Sequence, residues 1–376
     1  MRDAVRDAFI VGRVLGRCLI SRLARFNSFV SALAVVVVVL GAGQLRHGYV
    51  GHASASTSDL SRPPVHGALL GAVVEQREGV FWSQALVKAF EKRIGRKLDI
   101  DHYGYWTTSD DPCAGEFPRK SREGWDIAHG RLPLATWTPD PPHPRAGWLD
   151  QFSDGAVDPC LRRMARALKA QRGAILLRPM HEMNGDWYAW SGPQNGGGHV
   201  GEAKFRRAWI HMWTVFHDVG ATNVKWVWCP DSTDTPADGS HHWTGYYPGD
   251  RYVDWVCVDT YNWNVRDWGP WAEFSALLGE QTNGRTVYSD YAKRKPFMIG
   301  ETGTVEDQGN AGRKGRWFVN ALHALKTRFP LVKAFVYFNT IADDKDWRIE
   351  TSRSSIAGFR RLAQDRWFET RVRGRR

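Results

Sequence analysis

The chain has 376 residues, room for one large barrel-type domain with short extensions. Its formal charge of +11 sits at the two ends: residues 1–55 and 360–376 each hold seven arginines against two acids, which leaves the central 304 residues near +1. A nucleic-acid binder would carry that charge on its folded body, so nucleic acid is excluded as a partner.

Residues 1–28 are basic, and Phe29–Gly43 is an almost continuous apolar run. That run is shorter than the roughly 20 residues of a spanning helix. Arg22 and Arg25 precede it and Ala53-Ser54-Ala55 offers a small-residue cleavage site. Residues 1–55 are expected to be a signal peptide or, if uncleaved, an anchor that meets the membrane through residues 1–45. The protein is expected to be secreted or held at the outer face of the cytoplasmic membrane, and to be a monomer. Residues 56–66 read as a linker ending near Pro63-Pro64, and 361–376 as a solvated basic tail.

From Gly67 onward strand-like and helix-like stretches alternate, the mark of an α/β fold. Ala68–Val74 is the first strand candidate. A helical pattern over Trp82–Ile94 is stopped by Gly95. Leu98–Tyr103 and Leu132–Thr136 follow as strands, then an Arg-rich amphipathic helix over 155–172. Ala174–Arg178 is the fourth strand. Glu202–Val219 is a helix whose aromatics, Phe205, Trp209, Trp213 and Phe216, recur at helical spacing and read as core. Asn223–Trp228, Tyr252–Val258, Pro296–Ile299 and Val332–Phe338 complete eight strands. The expected architecture is a (β/α)8 TIM barrel forming a single catalytic domain over 67–360.

Of five cysteines, Cys18 lies in the presequence, and four remain for an exported protein. Cys113 and Cys160 both follow Asp-Pro or lie in loop-like sequence and are expected to pair. Cys229 and Cys257, near the ends of successive strands, could pair or could be small buried residues. No CxxC or HExxH spacing exists, so neither a metal site nor another cofactor is expected.

In such a barrel the chemistry collects at the C-terminal ends of the strands. After the fourth strand comes Arg178-Pro-Met-His181-Glu182-Met-Asn-Gly-Asp-Trp187-Tyr-Ala-Trp190. Tyr103 and Trp106 end the second strand, Trp137 the third, and Asp259-Thr-Tyr261-Asn-Trp263 the sixth. Gly300-Glu301-Thr-Gly ends the seventh and Tyr337-Phe338-Asn339 the eighth. Two glutamates, Glu182 and Glu301, thus face one mouth amid aromatics. Paired carboxylates suit glycosidic bond cleavage, and aromatic rings stack on the apolar faces of sugars. Arg178 and Glu182 share strand parity, so both are expected to point inward. Arg178 contacts substrate or forms a barrel-floor ion pair. His181 hydrogen-bonds a sugar hydroxyl or Glu301, or is a satisfied core histidine. Tyr261 bonds Glu301 or faces solvent from the rim. Trp137, Trp187 and Trp263 are candidate sugar platforms.

The chain resembles glycoside hydrolase family 26, the family of endo-β-mannanases and related β-glycanases. The likeness rests on Arg178–Trp190, Lys225–Pro230, Tyr246–Trp263, Lys295–Thr304 and Asp346-Trp347-Arg348-Ile349, within roughly 67–360. It implies a retaining barrel glycosidase with Glu182 as general acid/base and Glu301 as nucleophile. It also implies that His181 and Tyr261 contact the sugar and position the nucleophile, and that Trp187 lines the cleft. The expected partner is a β-linked polysaccharide, first of all a β-1,4-mannan. Mixed-linkage β-glucan and β-1,3-xylan are the alternatives, and a non-catalytic, membrane-tethered glycan-binding protein is another. One departure stands out: where the clan usually places a tryptophan floor after strand eight, this chain has Tyr337-Phe338-Asn339, so Tyr337 or Phe338 must serve.

Overall fold

β1 (Leu69–Val74), β2 (Ile100–Trp106), β3 (Leu132–Thr138) and β4 (Ile175–Pro179) begin a parallel sheet. β5 (Val224–Trp228), β6 (Trp255–Asn262), β7 (Phe297–Thr304) and β8 (Val332–Asn339) complete it. The eight strands close in sequence order, β8 pairing with β1 from Leu69↔Ala334 to Val74↔Asn339. The computed structural model describes residues 62–75, 82–106, 111, 120–141, 147–264, 269–279 and 284–368. The expected TIM barrel is therefore the fold.

Between the strands lie α1 (Gln84–Ile94), α2 (Lys120–Ala128), α3 (Asp150–Ser153), α4 (Asp158–Lys169) and α5 (Gly198–Val219). α6 (Phe274–Gly279), α7 (Val287–Tyr291), α8 (Arg313–Thr327) and α9 (Arg353–Ala363) follow. Local chemistry sets their ends. The Ser83 side chain accepts from Leu86 N at 3.2 Å and opens α1. Gly95, in the left-handed region, closes it.

Strand alternation splits the apolar residues into two cores. Leu69, Ile100, Leu134, Leu176, Val227, Met298 and Val336 fill the barrel. Leu70, Leu177, Val256, Phe335 and their like pack outward on the helices. The α5 aromatics join that outer core as expected, Phe205, Trp209 and Phe216 fully buried and Trp213 at its edge.

Inside the barrel Cys229 and Cys257 form a disulfide between β5 and β6. Cys160 is also disulfide-bonded; its expected partner, Cys113, lies outside the described residues. So do residues 1–55, the first part of the linker and residues 369–376. Among the described residues no helix is long and apolar enough to cross a membrane.

Three sequence boundaries need correction. β6 and β7 extend to Asn262 and Thr304, past Val258 and Ile299, because their last residues are polar and the hydrophobic run stops before the ladder does. The domain also continues past 360. α9 runs to Ala363, Phe368 is buried against Phe335, and Ala68 N donates to Trp367 O at 3.1 Å. The start of the expected tail thus closes the barrel beside β1; its arginines disguised the apolar residues between them.

Candidate active site

β4 ends at Pro179, and the chain leaves it through a turn in which Met180 (φ 50°) and Glu182 (φ 53°) adopt left-handed backbone. Such residues cost of order 1–3 kcal/mol each and persist only where the surroundings hold them. Here Met180 N donates to Trp137 O at 3.0 Å, Glu182 N to Cys229 O at 2.7 Å, and Gly185 N to Glu182 O at 3.0 Å. Trp190 Nε1 adds a bond to His181 O at 2.7 Å. Glu182 enters the mouth through this turn, not through the parity it shares with Arg178, since the strand stops between them. Trp187 then folds back and donates Nε1–H to Glu182 Oε2 at 2.9 Å. Gly185 makes that possible: a Cβ there would sit 2.4 Å from the indole ring. The Trp187 ring keeps 39% of its surface exposed, a platform beside the acid.

Glu301 arrives from β7. The β6–β7 register passes from Val258↔Ile299 to Asp259↔Glu301, so Gly300 is an extra, unpaired residue. A bulge of this kind re-aims the side chain that follows it. Tyr261 Oη donates to Glu301 Oε2 at 2.5 Å. Arg178 Nη2 donates to Glu301 Oε1, and Arg178 Nη1 donates to both Asp259 oxygens at 2.9 and 2.7 Å. Arg178 Nε donates to Thr136 Oγ1 at 2.8 Å, and His102 Nε2 lies 3.7 Å from Glu301 Oε1.

These placements sort the charges. Burial raises the Glu182 carboxyl well above the usual range, with help from Asp259, Asp231 and Glu301; the Trp187 hydrogen bond opposes it. Burial, and then Arg178, hold His181 well below the usual imidazole value, so it is neutral. Burial and then Glu301 push the Tyr261 phenol up, so it remains a donor. Burial pulls the Arg178 guanidinium down, but Asp259 and Glu301 outweigh it and the net direction is upward. His181, Asp259 and Glu301 bring donor atoms within 4.8 Å of one another, but Arg178 is already paired to both carboxylates and fills the place of a cation.

The raised Glu182 carboxyl makes stability depend on pH. The folded state holds a proton that the unfolded chain releases, so this contribution is complete below about pH 4 and is lost as pH rises toward the folded value. Glu182→Gln mimics the protonated acid and removes that loss. Its melting temperature is expected to match wild type at pH 4 and exceed it at pH 8. The gap should grow by about 1.4 kcal/mol per pH unit between the two pKa values. Parallel pH profiles of the two proteins would contradict a neutral Glu182.

The site gathers Glu182, Glu301, His181, Trp187, Tyr261, Trp263 and Arg178. His181 Nε2 meets Tyr188 Oη at 3.2 Å, while its buried Nδ1 has no partner among the described residues. Arg178 is fully buried, so it is the ion-pair reading that holds: it grips the carboxylates from below rather than touching a sugar. Trp137 does not join them. It is 2% exposed and packs on Phe152 of α3, because strand alternation turns Thr136, its neighbour, inward. The same rule separates the strand-eight candidates. Tyr337 packs on Phe318 and Phe359, whereas Phe338 meets Tyr261 at 5.5 Å and faces the mouth.

Four residues of this cluster were not singled out as site residues from the sequence. His102 and Thr136 lie on the inward faces of β2 and β3, a phase that residue type alone does not give. Asp259 was noted only as a strand end. Trp347 follows a short hairpin, β9 (Ile341–Ala342) and β10 (Lys345–Asp346), and backs the Tyr261 and Trp263 rings at 5.1 and 4.9 Å. Trp347 lies in the Asp346–Ile349 stretch of the family likeness, but its place in the site depends on neighbours from β6.

Residues 157–288 match the model of glycosyl hydrolase family 26. Endoglucanase H of Acetivibrio thermocellus is 32% identical over 287 residues, 74% of this chain and 29% of that protein. Mannan endo-1,4-beta-mannosidase A and B of Caldalkalibacillus mannanilyticus is 30% identical over 193 residues, 51% of this chain and 31% of that protein. The chain thus spans about three-tenths of the length of these relatives. Among solved structures, the Bacillus subtilis mannanase BCman superposes with a TM-score of 0.58 at 21% identity, over 82% of this chain and 88% of its own. The family 26 beta-mannanase from Bacteroides ovatus gives 0.59 at 15% identity, over 85% of this chain and 97% of its own. These two likenesses concern the barrel. The matched segment holds the Arg178–Trp190 turn and all of β6, and over it the chain is similar to glycosyl hydrolase family 26.

Proposed function

We propose that this protein is a retaining glycoside hydrolase that cleaves β-linked polysaccharide, with β-1,4-mannan as its first candidate and internal bonds as its targets. One observation carries the reading: two carboxyls meet in one mouth in opposite electrostatic settings. Glu182 is held neutral by burial and its acidic neighbours. Glu301 accepts hydrogen bonds from Arg178 and Tyr261. Glu182 donates its proton to the glycosidic oxygen while Glu301 attacks the anomeric carbon and the leaving sugar departs. Water then attacks the glycosyl ester as Glu182, now a base, takes its proton, and Glu301 is released. Trp187 and Phe338 offer rings to the sugar faces.

A second substrate has its own support. Endoglucanase H matches over a longer stretch, at higher identity, than the mannosidases do, and Phe338 replaces the expected tryptophan floor. Mixed-linkage β-glucan is therefore the alternative polymer for the same mechanism. Export, or display on the outer face of the membrane, belongs to the proposal; the apolar run 29–43 and the disulfides support it.

The test is sugar release from galactomannan, glucomannan, mixed-linkage β-glucan and β-1,3-xylan, with proton NMR of the first product. Oligosaccharides from a mannan, born as β-anomers, are expected. First-formed α-anomers would overturn the retaining assignment. Binding of a polymer by folded protein without any release would favour a glycan-binding role.

A further inference from the structure

β5 and β6 pair at Val227↔Trp255 and Trp228↔Val256, and their chains meet again at the Asp231↔Asp259 bridge. The next position along is Cys229 and Cys257, whose Cα atoms are 4.5 Å apart across the disulfide. The covalent bond thus sits in the seam between that short ladder and the Asp231↔Asp259 bridge, where Asp259 N donates to Pro230 O at 3.1 Å and Ser232 N to Asp259 O at 2.9 Å.

The bridge touches both halves of the catalytic pair. Cys229 O accepts from Glu182 N at 2.7 Å, one of the bonds that hold the left-handed backbone there. Cys229 Sγ lies 3.3 Å from Asp259 Oδ1 and 3.7 Å from Arg178 Nη1. A bridged sulfur has no proton, so the contact with Asp259 is packing rather than a hydrogen bond. Gly300, next to Glu301, lies against both sulfurs: a Cβ there would come within 2.7 Å of Cys257 Sγ and 2.9 Å of Cys229 Sγ. We propose that the Cys229–Cys257 disulfide is a positioning element for both glutamates, setting the spacing between the Glu182 turn and the Asp259–Arg178 clamp on Glu301.

The inference rests on the proposed reaction, in which the two carboxyls must stand about 5–5.5 Å apart. Misplacement by about 1 Å can cost on the order of a hundredfold in rate. Reduction by a dithiol would break the S–S bond, leave two protein thiols and convert the reductant to its own disulfide. The Cys229 thiol would then carry a proton and could donate to Asp259, competing with Arg178. A mere staple would act differently: its loss would lower stability and leave turnover alone.

The experiment compares the oxidised full-length chain with Cys229→Ala/Cys257→Ala, the bridge being confirmed in the former by peptide mass mapping. Steady-state kinetics use the polymer that wild type cuts best. The double variant is expected to lose about tenfold or more in kcat, with KM within about twofold because the exposed sugar platforms are untouched. A folded variant with wild-type kcat and only a lower melting temperature would overturn the proposal. Should the variant not fold, wild type produced in reduced form is assayed before and after oxidation by a small-molecule disulfide. A rise in kcat at constant KM supports the positioning role; equal kcat overturns it. Wild-type activity that disappears in Glu301→Ala establishes the underlying reaction separately, whereas an inactive wild type would sink that reading and this one with it.

Discussion

Glu301→Ala is expected to lower kcat by roughly 10⁴-fold or more, the scale on which removing a covalent nucleophile acts elsewhere. No other group near the anomeric position can replace it. Asp259 is locked bidentately to Arg178 below the mouth, and Glu182 has the acid role in the proposed reaction. The fold should survive, because the change leaves the Arg178–Asp259 pair intact and removes a side chain that lies at the mouth. The check is kcat on the preferred polymer, with melting temperature as the control for folding. Near wild-type turnover would mean that the attacking group lies elsewhere. Glu182→Ala makes a useful contrast. It should spare the first step on aryl glycosides with good leaving groups, which need little protonation, and impair natural polymers strongly. Equal losses on both would remove Glu182 from the acid role.

Arg178→Met should damage both stability and catalysis. Arg178 is fully buried and stands between two carboxylates, Asp259 and Glu301. Methionine fills similar volume but leaves those carboxylates without their cation. Breaking one partner out of a buried ion pair costs about 3–5 kcal/mol, because the remaining charge is stranded. Glu301 would also lose the donor on Oε1, so kcat should fall on the order of a hundredfold. Urea unfolding and steady-state kinetics measure the two effects. Adding Asp259→Asn to Arg178→Met should restore part of the stability by removing the stranded charge, yet little of the rate. Arg178→Lys should keep the charge and still lose activity, since an ammonium cannot span Asp259, Thr136 and Glu301 in one planar fork. An Arg178→Met variant as stable as wild type would rule out the ion-pair network as a support of the barrel floor.

The barrel and its two glutamates were legible in the chain because they depend on local patterns. Buried parallel strands read as apolar runs, helices read as periodic stripes ended by glycines such as Gly95, and catalytic polar clusters follow the strands directly. The choice between Trp137 and Thr136, or between Tyr337 and Phe338, was not legible by residue type, which favours the aromatic or leaves two aromatics level. It follows from which of two adjacent residues faces inward, and only the closed sheet sets that phase. Where the phase breaks, at the bulge before Glu301 and the left-handed turn before Glu182, no alternation rule could have aimed the side chains. Trp347 and the roles of His102 and Asp259 likewise depend on neighbours brought from distant strands. The sequence by itself determined the fold class and placed two glutamates at the strand ends, because periodicity and strand-end chemistry are local properties. Only the tertiary structure decided the Cys229–Cys257 bridge, the buried place of Arg178 and the rings that face the sugar, because each depends on register across the closed barrel.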